Sequence, residues 1–170
     1  MTRPLAITKR LRAVRGYGTA AGTGALAAFL LVAVCGSPMY VDWVQHHTDP
    51  AGAGGWLLRL LAWPAWRLHS DDPSQGVLAA DLRALLLVIL AAALLYLLPA
   101  GQVARVGNST SQFFSGWAAY ALAGGFTALL AALFGPGGSL LVAFQGASTG
   151  ATYGFFTGWI IGLASLGGRA

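Results

Sequence analysis

The chain has 170 residues and a mass of 17.5 kDa, is 56% hydrophobic and only 9% charged, and carries a net charge of +5. A soluble domain exposes roughly 25% charged residues to water, so with a mean hydropathy of +0.67 this composition excludes an ordinary soluble enzyme, a disordered tail and a nucleic-acid-binding domain. It is the composition of an all-α polytopic membrane protein, and the excess of Arg over Lys, with abundant Ala and Gly, points to a bacterial source.

The segment 1–16 is basic, with Arg3, Lys9, Arg10, Arg12 and Arg15 and no acid. It reads as a cytoplasmic arm whose charges are explained by orientation alone, with contact to an anionic leaflet as the alternative. The first span follows at 17–35. Val32-Ala33-Val34-Cys35 has the outline of a lipoprotein cleavage box, but Val34 is too large for the position before the cysteine, so the segment is expected to stay as a membrane anchor. Cys35, alone in the chain, excludes an internal disulfide and is expected to be a buried free thiol.

Segment 36–80 is the longest stretch between spans, and is expected on the extracytoplasmic side because Asp42, Asp49, Asp71 and Asp72 outweigh Arg59 and Arg67. Within it, 55–69 is too short and too charged to span. At 100° per residue Trp56, Arg59, Trp63, Trp66 and Arg67 share one arc, and Leu57, Leu58, Leu61, Ala65 and Leu68 the other. That predicts an amphipathic helix in the plane of the interface, with Trp and Arg at headgroup level as a partner or lipid contact. Pro64 should bend or divide it. His46, His47 and His69 sit among the aspartates without a zinc spacing, so no metal is expected. Asp81 reads as the N-cap of the second span.

That second span is predicted at 82–98, a cytoplasmic loop with Arg105 at 99–114, the third span at 115–134, and the fourth at 139–166, after the uncharged turn Gly135-Pro136-Gly137-Gly138. With N- and C-terminal segments cytoplasmic, every basic cluster falls on the expected side of a bacterial cytoplasmic membrane. The predicted fold is a four-transmembrane-helix bundle with one interfacial helix between the first two spans. The second span, rich in Leu and Ala, is expected on its lipid-facing side.

The fourth span carries Gly146, Gly150, Gly154, Gly158 and Gly162, each four residues after the last, with no glycine off that register. This resembles the glycine zipper, an extended GxxxG packing motif. Glycine costs about 1 kcal/mol relative to Ala inside a helix, so a row of five needs compensation. A furrow without Cβ atoms supplies it by letting a second backbone approach and gain dispersion and Cα–H···O contacts. Gly18, Gly22 and Gly24 in the first span and the Ala/Gly rows of the third (Ala119, Ala123, Thr127; Gly124, Ala128, Ala132) offer matching smooth surfaces. The furrow is fillable within the monomer, by a second copy or by another protein's helix.

The span interiors are read as free of charged side chains, which argues against proton relays and ion-coupled transport. No Walker loop, HExxH, GxSxG or CxxC motif is present, so no enzyme activity, cofactor or nucleic-acid partner is expected. The leading expectation is a non-catalytic membrane subunit that packs through its glycine row into a homo-oligomer or larger membrane complex. The alternatives are an oligomeric pore component and a lipid- or substrate-handling protein using the Trp-rich outer helix.

Overall fold

The computed structural model describes residues 4–67, 77–102, 109–134 and 139–168, with side chains in α1 and α4 described over 20–35 and 80–98. The expectations for Arg3, His69, Asp71, Asp72, Arg105 and the turn 135–138 lie outside the described residues, as do the surroundings of Gly18. Six helices and no strand occur among the described residues: α1 (Pro4–Cys35), α2 (Pro38–His47), α3 (Ala53–Leu61), α4 (Val77–Gln102), α5 (Ser109–Phe134) and α6 (Leu140–Gly167).

Two of these helices are long and apolar enough to cross a membrane, over Ala80–Leu98 and Ser109–Phe134; Ala20–Cys35 and Pro38–His47 pass together as one span bent by 61°. At 28 residues α6 is long enough as well. Its glycines and the polar Gln145, Ser148, Thr149, Thr152 and Thr157 are spread among its apolar residues.

The bend after α1 has a local cause. Ser37 is extended and caps α2, its Oγ accepting from Tyr40 N at 3.2 Å and donating to Val34 O at 2.7 Å. Pro38 follows at the first helical position, where its missing N–H costs nothing. Ser-Pro is thus a helix start within the segment 36–80. The C-terminus of α2 is closed by Arg59, whose Nη2 donates to Gln45 O at 3.1 Å and Thr48 O at 2.8 Å, and whose Nε donates to Thr48 Oγ1 at 3.1 Å. A cation on carbonyls left open by a helix end satisfies both their hydrogen bonding and the helix dipole.

The predicted 55–69 helix is shorter than expected. It ends at Leu61, with turns closed by Trp63 N to Leu60 O and Ala65 N to Ala62 O on either side of the buried Pro64. The chain then fastens to the end of α1: Trp66 N donates to Gly36 O at 3.0 Å and Trp66 Nε1 to Val32 O at 3.2 Å. Gly36 is required at this closure, because a Cβ there would lie 2.5 Å from Pro64 O and 2.9 Å from Trp66 Cδ1.

Antiparallel α5 and α6 share the most extensive interface of the molecule; α4 packs on α1 and α5, and α1 also on α6. Helix α4 buries Ala84, Leu87, Ala91 and Leu95 and exposes Leu82, Leu85, Ile89 and Leu97, a one-sided stripe at helical spacing. It packs on α1 and α5 along one face and leaves the other face exposed. Its Leu/Ala content lacks a glycine row but still forms a contact face.

Candidate functional site

Helix levels follow from two contacts and the rise of 1.5 Å per residue. Gly24 of α1 faces Ser165 of α6, with a Cβ position 2.7 Å from Ser165 Oγ and 3.2 Å from Leu95 Cδ1 of α4. From there α1 climbs about 18 Å to Gly36, and α6 the same distance to Tyr153. At this level, α1 ends and Trp63 stacks on Tyr153, with ring centroids 4.8 Å apart and planes at 26°. Trp56 meets Phe156 edge-on at 5.0 Å. Helix α3 thus lies against the middle of α6, not across the end of the bundle.

That position dissolves the arc expected of Trp56, Arg59, Trp63, Trp66 and Arg67. With the helix ended at Leu61, the side chains divide among three helices: Trp56 and Trp63 pack on Phe156 and Tyr153 of α6, Arg59 reaches the end of α2 and Trp66 reaches α1. Arg67 is exposed, and its backbone N–H donates to Asp81 Oδ1 at 2.7 Å. Asp81 is therefore not the cap of its helix, which starts a turn earlier at Val77. Cys35 is free and half-buried.

The five glycines of α6 all face α5. A Cβ on Gly146 would lie 3.3 Å from Ala128 O, on Gly154 2.6 Å from Ala121 Cα and 2.7 Å from Tyr120 O, on Gly158 2.9 Å from Trp117 O, and on Gly162 2.7 Å from Phe113 O. At Gly150 it would meet Gly124 O, and a Cβ on Gly124 would meet Gly150 O in return. Of the first-span glycines, Gly24 is in tight contact and Gly22 only touches Tyr96 at 3.8 Å.

The chemistry gathers beside this seam. Tyr120 and Tyr153 are both fully buried and share a hydroxyl–hydroxyl hydrogen bond of 2.9 Å. Trp63 covers Tyr153, and the guanidinium carbon of Arg83 stands 5.1 Å from the centroid of Trp63. Arg83 is half-buried, and its Nε has no hydrogen-bond partner; the buried hydroxyls of Ser115 and Thr127 have none either. Deeper along the hairpin, Gln112 Nε2 donates to Ser165 O at 2.6 Å. On the outer flank, Trp56, Phe113, Trp117, Phe155, Phe156 and Trp159 line an apolar groove of about 460 Å³.

Arg83 is the residue that sequence reasoning missed. It is the second residue of the span expected at 82–98 and the only charge between Asp81 and Arg105. A charge inside an apolar stretch is itself a signal, since insertion of Arg at a helix centre costs roughly 2.5–3.5 kcal/mol on insertion scales. Stacking on an indole returns about 0.5–2 kcal/mol of the cost of burying such a charge. Tyr120 carried no such signal, because a lone Tyr in an apolar helix reads as an interface aromatic.

His46 and Asp42 pair locally on α2 at 3.3 Å, both exposed, and no three metal-ligating side chains converge among the described residues. No protein-family model matches the chain, and neither the curated proteins nor the solved structures give a match.

Proposed function

We propose that the protein is a non-catalytic integral membrane subunit whose projecting α5–α6 hairpin docks against another membrane protein. In this reading α1, α4, α5 and α6 cross a bacterial cytoplasmic membrane, with the N- and C-terminal segments of this sequence on the cytoplasmic side. Membrane lipid covers the remaining apolar surface. The glycine row of α6 is a zipper filled within the chain by α5, which makes the hairpin a rigid two-helix unit rather than an oligomer seam.

The observation that carries the reading is the length mismatch. Beyond the level where α1 ends at Tyr153, α6 continues for about 20 Å, of which α4, starting at Val77, accompanies about the first 9 Å. Over that distance Phe134, Leu140, Leu141 and Phe144 are 76%, 70%, 70% and 67% exposed. An apolar pair of helices that outreaches its neighbours needs a cover, and another membrane-embedded helix supplies the close packing that lipid does not. The pore alternative gains nothing comparable, since the outward hydroxyls of Thr149 and Thr152 each donate to a carbonyl of their own helix.

A photocrosslinking residue at Leu141, with Leu85 of α4 as the lipid-facing control, tests the proposal in native membranes. A discrete protein adduct from position 141 and none from 85 is expected. An adduct of twice the chain mass identifies a second copy, and any other mass a different subunit. If position 141 yields only lipid adducts, the docking function is wrong.

A further inference from the structure

Three helices line the apolar groove beside the seam: α5 contributes Phe113 and Trp117, α6 Phe155 and Trp159, and the start of α3 Ala53 and Trp56. Ring contacts cross it without a break from α5 to α3. Phe113 meets Trp117 at 5.8 Å, Trp117 meets Phe155 at 5.1 Å, Phe155 meets Phe156 at 5.4 Å and Phe156 meets Trp56 at 5.0 Å. Rings braced edge-on and tilted against one another hold their places, so the groove of about 460 Å³ is a standing feature of the fold. Among the described residues no charged side chain lines it, and the indole N–H of Trp117 is spent on Phe155 O at 2.7 Å.

Water does not settle in an apolar space of this kind, and an empty one forfeits the dispersion contacts of every ring along it. The occupant is therefore apolar, and the dimensions select among apolar occupants. From Phe155 to the level of Gly162, where Phe113 packs, the groove runs about 10 Å along α6, no longer than a helix with its side chains is wide. Helix α3, seated on Phe156, stands at the end nearer Tyr153, so a partner helix laid along the groove collides with it. The hairpin tip of a second copy in the same orientation does not reach the groove either, because Phe144 stands about 16 Å along α6 from Phe155. A single flexible hydrocarbon chain fits. We propose that the groove holds one acyl chain of a membrane lipid as a bound component of the protein. This rests on the membrane embedding proposed above and is independent of what docks at the hairpin tip.

The test uses the full chain in maltoside micelles with increasing amounts of a phospholipid that carries a diazirine on its acyl chain. Adducts are located by peptide mass spectrometry. Those around Phe155 and Trp159 are expected to saturate, while those on the exposed face of α4 at Leu85 and Ile89 rise in proportion to the probe. Proportional labelling at both places overturns the proposal, and labelling at neither overturns the membrane embedding with it. Ala53→Trp fills the α3 side of the groove from an exposed position. It is expected to cut the groove adducts several-fold and to leave those on α4 as they were; unchanged groove adducts overturn the proposal. Should that variant fail to fold, the saturation measurement on the unsubstituted chain decides. A photocrosslinking residue at position 53 in native membranes separates the remaining occupants. A lipid adduct is expected there, and a protein adduct, whether a second copy or another subunit, also overturns the proposal.

Discussion

The α5–α6 and α1–α4 contacts join helices of similar apolarity by opposite means. Between α5 and α6 the backbones themselves touch: Gly124 and Gly150 each present a carbonyl where the other's Cβ would stand. Between α1 and α4 the contact is made by side chains, with Ala28, Leu31, Leu87, Ala91 and Leu95 in one buried cluster. Neither pair is driven together by water in a bilayer, so dispersion at short range decides. A backbone seam has no rotamer with which to accommodate change, whereas a side-chain contact can repack. The first is therefore brittle and the second tolerant.

Substitutions that exploit this difference should separate widely. Gly150→Leu drives a branched side chain into the backbone of α5, and a loss of about 3 kcal/mol or more is expected, at or beyond the upper range for overpacking. Thermal unfolding in micelles reads it, and a variant as stable as the parent would mean that the seam is not formed in solution. Tyr153→Phe is intermediate. It leaves the buried Tyr120 hydroxyl without its partner, at about 1–2 kcal/mol, while adding Tyr120→Phe removes the orphan and should recover most of that loss. Additive losses in the double variant would argue against a hydroxyl pair. Leu85→Phe, on the 58% exposed face of α4, should change stability by less than about 0.5 kcal/mol. A larger effect would place that face against protein instead of lipid.

How much of this was readable in advance depended on whether a feature is local. The glycine register is a property of one helix, and both the row and its need for a backbone partner were visible in the sequence. That α5 fills it was not, because the third and first spans offered equally smooth rows. Pro64 marked the break in α3 correctly, and Ser37-Pro38 carried the start of α2 in plain view of the capping rules. What sequence could not supply was depth. The Trp/Arg arc looked like an interfacial helix because composition reports preference for an interface, whereas position along α6 is set by tertiary contacts such as Trp63 on Tyr153. Arg83 was hidden by its neighbour, since Asp81 beside it made the start of the span look like a capped helix end.

The clasp at Trp66 has a mechanical consequence. Its two hydrogen bonds tie the far end of the 36–67 segment to Val32 and Gly36, on both sides of the residue where α1 gives way to the bend. The kink is thereby held by a strap anchored more than one helix away in sequence. Straightening α1 and α2 into one rod would strip both bonds at once, so bend and strap open together or remain shut.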